Sequence, residues 1–256
     1  MNIAHRGGAL EAPENTIYAF KKAVESGADW FEMDIRLSSD GVLLLCHDPV
    51  LERTTDGSGE VSGKRWEELK RLDAAYNWNP ESLPVPPLRG SGITMPSLEE
   101  IFERFPSTPV ILEIKPNNPR LIELLGRLIE KYDRWDRTIA ASFHHGLIRR
   151  FRKMFPAGLS SAGRFEIGVL YFFQMAGLGG LIKTPAYAIQ IPEKFGPFKL
   201  LSRGMIRTMH KRGVGLHVWT VNTESDMRRM IDMGIDGILT DRPSLLARIT
   251  GGCSGI

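Results

Sequence analysis

Strand-like and helix-like segments alternate along most of this chain. Short apolar runs are each followed by a longer run with helical periodicity, and this pair recurs eight times. Strict alternation is typical of a parallel sheet whose strands are joined by helices, so the pattern predicts an α/β fold, most economically a closed (β/α)8 TIM barrel. An open doubly wound sheet is the alternative, but the glycine fingerprint of a dinucleotide site is missing after the first strand. The predicted strands cover residues 2–5, 30–37, 110–114, 138–142, 158–162, 186–191, 215–221 and 237–240.

Helices are predicted in the intervals. Asn15 is a good candidate for the N-cap of the first helix, and Ser97 with Glu100 three residues later predicts a capping box for the second. The predicted helices cover residues 15–26, a segment beginning at 97, and residues 120–132, 145–155, 165–182, 198–212, 224–233 and 243–249.

An additional strand at residues 42–47 interrupts the alternation. It follows the second strand after four residues, whereas a parallel crossover needs about a dozen. Asp40-Gly41 is a good two-residue hairpin turn, and this turn would place His47 opposite Asp34 on the second strand. The sequence therefore predicts a β-hairpin that returns His47 toward the acidic residues.

The chain length is suitable for one large domain. We predict that, of its 256 residues, residues 1–250 form a single barrel domain and residues 251–256 form a short tail. Residues from about 48 to 95 form an insertion after the second strand, without a clear barrel element. Because a loop of this length in a compact domain is usually functional, we expect a small cap over one side of the barrel mouth.

Bulk composition excludes several classes of protein. A net charge of +3 and the absence of a long basic run argue against a nucleic-acid partner. With two cysteines, Cys46 in an apolar run and Cys253 in the tail, a disulfide framework is not expected. No signal peptide is visible, and we expect a cytoplasmic protein.

Three carboxylates follow a pattern that suits a metal ion. Glu32 and Asp34 are separated by one residue on an apolar strand, which places both side chains on one face, and Glu113 lies near the end of the next barrel strand. Carboxylate oxygens suit Mg²⁺ or Ca²⁺, and unpaired charge is costly on a buried strand. The sequence therefore predicts one divalent cation, whose identity is left open.

Four further residues are predicted to act on an anionic substrate. His5 and His47 each end an apolar strand run, where barrel active sites lie, and two histidines can divide general acid and general base catalysis. Arg6 and Lys115 are candidates for neutralising a phosphate, and an ion pair with the nearby carboxylates is compatible with that role.

Weaker signals mark other strand ends. Gln190 is a candidate pocket residue, and Trp219 is as consistent with a wall of the pocket as with filling the barrel. Asp241 follows the last strand and is also a candidate cap for the final helix. Residues 165–182 are unusually apolar but too few to span a membrane. A helix that is apolar on all sides must be covered, and peripheral membrane contact, a dimer interface or a long acyl chain could each cover this one.

Together the polar blocks resemble the glycerophosphodiester phosphodiesterase family, nearly end to end. The resemblance implies a TIM barrel that hydrolyses a glycerophosphodiester to glycerol 3-phosphate and an alcohol, with Glu32, Asp34 and Glu113 as metal ligands and His5 and His47 as the acid/base pair. The matching blocks are His5-Arg6-Gly7, Pro13-Glu14-Asn15-Thr16, Glu32-Met33-Asp34, Asp40-Gly41, His47-Asp48, Arg53-Thr54-Thr55 with Gly57 and Gly59, Pro96-Ser97-Leu98, Glu113-Ile114-Lys115, Trp219-Thr220-Val221-Asn222 and Thr240-Asp241.

Two other functions remain beside this one. Residues 165–199 match the members with small substrates least well, which makes a lysophospholipase D-like activity the first alternative. A barrel that binds a metal or a phosphodiester without catalysis is the second, and it is disfavoured because every expected catalytic position is occupied. The sequence does not specify the preferred head group, the nucleophile or the oligomeric state.

Overall fold

The computed structural model describes residues 1–181 and 183–251, which form eleven strands and nine α-helices. The strands are β1 (Asn2–His5), β2 (Trp30–Leu37), β3 (Leu43–Leu45), β4 (Val110–Ile114), β5 (Thr138–Ala141), β6 (Leu159–Ser160), β7 (Ala188–Ile191), β8 (Lys194–Phe195), β9 (Phe198–Lys199), β10 (Gly215–Val218) and β11 (Gly237–Thr240). The helices are α1 (Ile17–Glu25), α2 (Trp66–Leu69), α3 (Leu98–Arg104), α4 (Pro119–Lys131), α5 (His145–Met154), α6 (Arg164–Met175), α7 (Arg203–His210), α8 (Glu224–Met233) and α9 (Pro243–Thr250).

Eight parallel strands form the predicted barrel. They pair in the order β6-β5-β4-β2-β1-β11-β10-β7, so each barrel strand lies beside its neighbours in the chain. A parallel bridge between Ser161 and Ala188 joins β6 to β7, and the N–H of Ala162 donates to the carbonyl oxygen of Ala188 across this seam at 2.9 Å. The (β/α)8 barrel is confirmed, and its closure brings the carboxyl ends of all eight strands to one mouth.

The apolar core has two layers. Inside the barrel, Ile3, Ile111, Ile139 and Leu239 fill the space between the strands. Outside it, the other strand faces pack against the surrounding helices in two larger clusters, one on β1–β5 and one on β7–β11. This arrangement leaves the polar strand ends as the part of the barrel that side chains do not fill.

The predicted hairpin is present, but its register was wrong by one residue. Strand β3 pairs antiparallel with β2, and Cys46, not His47, lies opposite Asp34. The turn has three residues rather than two, because the hydroxyl of Ser38 accepts from the N–H of Val42 at 2.9 Å and closes the longer loop. His47 lies just beyond the strand.

Of the two predicted helix caps, one is confirmed and the other is wrong. Ser97 caps α3 in the predicted capping box with Glu100. Asn15 does not cap α1; Thr16 does, through its side-chain oxygen and the N–H of Ala19. Asn15 has a left-handed φ of 57° and is buried, which directs its amide into the barrel mouth instead.

Two predicted helices had wrong boundaries. Helix α6 ends at Met175, not at residue 182, which lies outside the described residues. The helix predicted from residue 198 begins at Arg203, because Phe198–Lys199 instead pairs with Lys194–Phe195 in a small hairpin. Among the described residues, no helix is both long and apolar enough to cross a membrane.

The inserted residues 48–95 pack on the hairpin. Leu51, Val61 and Leu69 are fully or almost fully buried against Leu44 of β3, which gives the segment a small apolar core. The indole N–H of Trp78 donates to the carbonyl oxygen of Ala9 at 2.9 Å, in the loop after β1, at the carboxyl end of the barrel. That this segment forms a cap over the barrel mouth stays a prediction. The predicted tail at residues 251–256 also stays a prediction, because residues 252–256 lie outside the described residues.

Gly126 on α4 allows the close approach of Phe155. A Cβ built on Gly126 would lie 2.0 Å from Cζ of the Phe155 ring, so Gly126→Ala must displace a packed aromatic side chain. We expect a loss of about 1–3 kcal/mol in the free energy of unfolding, measured by urea denaturation. Gly146→Ala on α5 is the matched control, because a Cβ there meets nothing within 4 Å. Equal stability of both variants would contradict this explanation.

Candidate active site

The predicted site residues converge at the mouth of the barrel. Parallel pairing sets His5 of β1 beside Glu32 of β2, and Asp34 of β2 beside Glu113 of β4. A cavity of about 180 Å³ opens there. Eight of the nine predicted residues line it, namely His5, Arg6, Glu32, His47, Glu113, Lys115, Gln190 and Trp219, while Asp34 is buried beside them.

Glu32, Asp34 and Glu113 form a compact acidic cluster. Each offers one carboxylate oxygen, and the three oxygens lie within 4.8 Å of one another. Oε1 of Glu113 is buried without a hydrogen bond. An acidic cluster of oxygen donors with an unsatisfied buried oxygen fits a hard divalent cation, so these residues are suited to Mg²⁺ or Ca²⁺.

Two cations offset part of this negative charge. Nζ of Lys115 lies 2.9 Å from Oδ1 of Asp34 and 3.0 Å from Oε2 of Glu113, and Nε of Arg6 lies 3.2 Å from Oδ2 of Asp34. Burial acts to raise the pKa of Asp34, but Lys115 and Arg6 outweigh it and hold that pKa below its usual range. Both cations therefore keep Asp34 ionised while they also line the cavity.

Glu32 has the opposite shift. Burial, together with the negative charge of Asp34, raises the pKa of Glu32 to about 7. Its Oε2 accepts the backbone N–H of Arg6 at 3.1 Å, which fixes the side chain toward β1. At neutral pH about half of the Glu32 side chains carry a proton, and a cation bound beside Glu32 would favour the loss of that proton.

His5 is held by a second carboxylate. Its Nδ1 lies 2.7 Å from Oδ1 of Asp241, and its Nε2 lies 3.9 Å from Oε2 of Glu32. Burial acts to lower the pKa of His5, but Glu32 and Asp241 outweigh it and raise the pKa. Asn222 donates to the other oxygen of Asp241 at 2.7 Å, so the pair is anchored to the loop that follows β10.

His47 has a similar partner but the opposite shift. Its Nδ1 lies 2.7 Å from Oδ1 of Asp48, and the side chain of Arg36 donates to its backbone carbonyl oxygen at 2.6 Å. Burial lowers the pKa of His47. Two imidazoles, each oriented through Nδ1 by a carboxylate, thus lie in one cavity with their pKa values shifted apart.

Arg53 links the inserted segment to this site. Its guanidinium donates to both oxygens of Glu14, at 2.8 and 2.7 Å, and also to Oδ2 of Asp48, the partner of His47. Glu14 in turn accepts from Arg6 at 3.1 Å. This chain of ion pairs connects the loop after β1, the end of the hairpin and the insertion around His47.

The two weaker predictions, Gln190 and Trp219, also lie at the cavity. Nε2 of Gln190 is buried without a hydrogen bond, so it is an available donor. Trp219 packs edge-on to Phe143 with ring centroids 6.1 Å apart and contacts the barrel interior, so it is both pocket wall and barrel filling.

Sequence reasoning missed several neighbours of the site. Asn15, Arg53 and Asp241 belonged to matched blocks but were assigned no part in the site, because the contacts that place them there are long-range. Asp241 pairs with His5 and does not cap α9, whose N-cap residue is Arg242. Ile167 lies in the segment that matches the small-substrate members least well, and Arg164 directly precedes that segment. No signal in the sequence identified either residue as lining the cavity.

Asn15 should position Asp34 for metal binding. Its amide donates to Oδ2 of Asp34 at 2.9 Å and accepts the backbone N–H of Asp34 at 3.2 Å. Because outer partners of metal ligands commonly contribute 10- to 100-fold in affinity, we expect Asn15→Gly to weaken Mg²⁺ or Ca²⁺ binding by about tenfold or more in titration calorimetry. Glycine tolerates the positive φ, so this variant removes the amide without adding backbone strain.

Asn15→Ala adds a strained left-handed alanine to the same loss. It should bind metal as weakly as Asn15→Gly and unfold at a lower temperature. Unchanged metal affinity in both variants would show that the amide does not position Asp34.

Glu32 should make the metal-free protein sensitive to pH. Its pKa is about 7 in the folded state and lies near 4.5 when unfolded, so folding favours its protonated form and this contribution is lost as pH rises through about 7. In EDTA, Glu32→Gln should melt above wild type at pH 8 and near it at pH 5. Added Mg²⁺ or Ca²⁺ should stabilise wild type more at pH 8 than at pH 5. A melting-temperature difference that does not change with pH would contradict the assigned shift.

Comparisons with known proteins show which family this chain resembles along its length. The sequence profile of the glycerophosphoryl diester phosphodiesterase family matches residues 5–245. A glycerophosphodiester phosphodiesterase of Caldanaerobacter subterraneus subsp. tengcongensis is 35% identical over 252 residues, with 96% of each chain covered. A lysophospholipase D of Homo sapiens is 28% identical, covering 96% of this chain and 84% of the relative.

The fold matches as well. The crystal structure of a glycerophosphodiester phosphodiesterase from Agrobacterium tumefaciens superposes with a TM-score of 0.78 at 27% identity, covering 96% of this chain and 98% of that one. Since the family profile spans nearly the whole barrel, the chain belongs to the glycerophosphoryl diester phosphodiesterase family.

Proposed function

We propose that this chain is a phosphodiesterase that hydrolyses glycerophosphodiesters to glycerol 3-phosphate and an alcohol, with the help of one divalent cation. The observation that supports this most is the cavity itself. It combines an acidic cluster, two carboxylate-paired histidines and two cations, and it lies in a member of this family. Relatives that carry this activity in their names cover nearly the whole chain.

The acidic cluster is the proposed cation site. Glu32, Asp34 and Glu113 would hold the ion, which on oxygen donors alone is Mg²⁺ or Ca²⁺. When bound, such an ion withdraws negative charge from the oxygens of a phosphodiester.

Arg6 and Lys115 are the proposed phosphate-binding residues. Both line the cavity, and each retains donor groups beyond those that contact Asp34. Their positive charges offset the charge that develops on the phosphate in the transition state. The free donor of Gln190 lies on the same cavity and is suited to a substrate oxygen.

His5 and His47 are the proposed acid and base. One accepts the proton of the nucleophile and the other donates a proton to the leaving alkoxide. Asp241 and Asp48 hold the Nδ1 atoms, which leaves both Nε2 atoms for this transfer. The nucleophile is water, or the neighbouring glycerol hydroxyl through a cyclic phosphate. Both routes consume one water molecule, break the bond from phosphorus to the alcohol oxygen, and give the same products.

A non-catalytic barrel is the less favoured reading, because the cavity retains every group that the reaction needs. Peripheral membrane contact through residues 165–182 and a cytoplasmic location stay predictions.

Release of glycerol 3-phosphate from glycerophosphocholine and glycerophosphoethanolamine tests the proposal. Activity should disappear in EDTA and return with Mg²⁺ or Ca²⁺, added separately. His5→Ala and His47→Ala should each lower kcat by at least about 10²-fold while circular dichroism stays unchanged. His210→Ala is the matched control, because His210 is an exposed histidine on α7 that pairs with Asp236 outside the cavity. Wild-type turnover by folded His47→Ala protein would overturn its assignment.

A further inference from the structure

A second cavity adjoins the catalytic one. It has a volume of about 490 Å³ and lies between α6 and the β8–β9 hairpin, with Gly168, Tyr171 and Phe172 on one side and Phe195 and Phe198 on the other. The two cavities share Phe143, Arg164, Ile167, Gln190 and Trp219 as walls. An apolar groove therefore continues directly from the place where the phosphodiester would lie.

Helix α6 is poorly covered for its composition. Most of its twelve residues are apolar, yet Leu170 is its one buried residue, whereas α4 buries five. On the groove, Phe172 is 69% exposed and Phe198 is 51% exposed. Contiguous exposed apolar surface of this kind marks a binding site rather than ordinary surface.

The junction between the cavities changes from polar to apolar. Arg164 stands over the rings of Phe143 and Phe195, with its guanidinium carbon 5.7 and 5.8 Å from their centroids. On one side of Arg164 lie the histidines and the acidic cluster, and on the other lie aromatic and aliphatic side chains. The combined cavity matches an amphiphile with a phosphodiester at one end and a single apolar chain at the other.

We propose that this groove holds the acyl chain of a monoacyl glycerophospholipid, so that the preferred substrate class is a lysophospholipid. The inference rests on the proposed function, since the same bond is broken. Water supplies an oxygen to phosphorus and a proton to the head-group alcohol, and the products are an acylated glycerol 3-phosphate and the free alcohol. Continuity with the catalytic cavity favours a substrate tail over a second copy of the chain or a membrane surface as the occupant.

Short-chain lysophosphatidylcholines below their critical micelle concentrations test this directly. Kinetics are measured with hexanoyl, octanoyl and decanoyl chains beside glycerophosphocholine, with the activating metal present. Because each buried methylene contributes roughly threefold, kcat/KM should rise at least tenfold from hexanoyl to decanoyl. Turnover of glycerophosphocholine without any rise along the series would overturn the acyl groove and leave the phosphodiesterase proposal standing. Folded protein that hydrolyses neither class would overturn both.

Gly168→Trp should block the groove. Gly168 lines the groove but not the catalytic cavity, and a Cβ built on it meets nothing within 4 Å, so the indole can occupy the groove without displacing backbone. We expect at least a tenfold loss of kcat/KM for decanoyl substrate, a flat chain-length profile, and glycerophosphocholine hydrolysis within twofold of wild type. Equal losses for both substrates in a protein with unchanged circular dichroism would show that the groove does not select for the acyl chain and would overturn the proposal.

A matched pair of phenylalanines on α6 gives an independent check. Phe172 lines the groove, whereas the adjacent Phe173 does not, and both side chains are exposed. Phe172→Ala should reduce kcat/KM for the decanoyl substrate several-fold, mainly by raising KM. Phe173→Ala should leave the hydrolysis of both the decanoyl substrate and glycerophosphocholine unchanged. If both variants lose decanoyl activity equally, the loss does not depend on lining the groove, and the acyl groove is wrong.

Discussion

The concentration of negative charge at the carboxyl ends of β2 and β4 is the constraint on which the rest of the site depends. Three carboxylate oxygens lie within 4.8 Å of one another on largely buried side chains, an arrangement that is unfavourable without compensation. Arg6 and Lys115 compensate at Asp34, but Glu32 still has a pKa of about 7. The cluster therefore retains excess negative charge, which a bound divalent cation would neutralise.

The surroundings of this cluster explain much of the local backbone. Asn15 adopts a left-handed φ and does not cap α1. In this conformation its amide contacts both the side chain and the backbone of Asp34. Arg53 contributes at a distance by joining Glu14 to Asp48, so a residue of the insertion orients the partner of His47. The inserted segment thus has a structural link to the chemistry even though it contributes no residue to the acidic cluster.

Sequence reasoning succeeded where periodicity and local chemistry decide structure. Alternating strands and helices imply a barrel, and the same alternation aligns His5, Glu32 and Glu113 on neighbouring strand ends. Sequence reasoning failed where a local hydrogen bond decides between two similar turns. The hydroxyl of Ser38 lengthens the turn by one residue and shifts the hairpin register, which no hydrophobic pattern records. Long-range pairs such as His5 with Asp241 are likewise visible only when the barrel closes.

The two halves of the barrel have different physical characters, and this separates reaction from specificity. The half around β1, β2 and β4 supplies charge, with histidines and carboxylates fixed by hydrogen bonds that leave little freedom to adapt. The opposite side, at α6 and the β8–β9 hairpin, supplies apolar area with few polar contacts, so its shape can change without disturbing the charged cluster. This is also the side that contains residues 165–199, which match the members with small substrates least well. A family that keeps one reaction while varying the substrate tail must change this side of the barrel and leave the other alone.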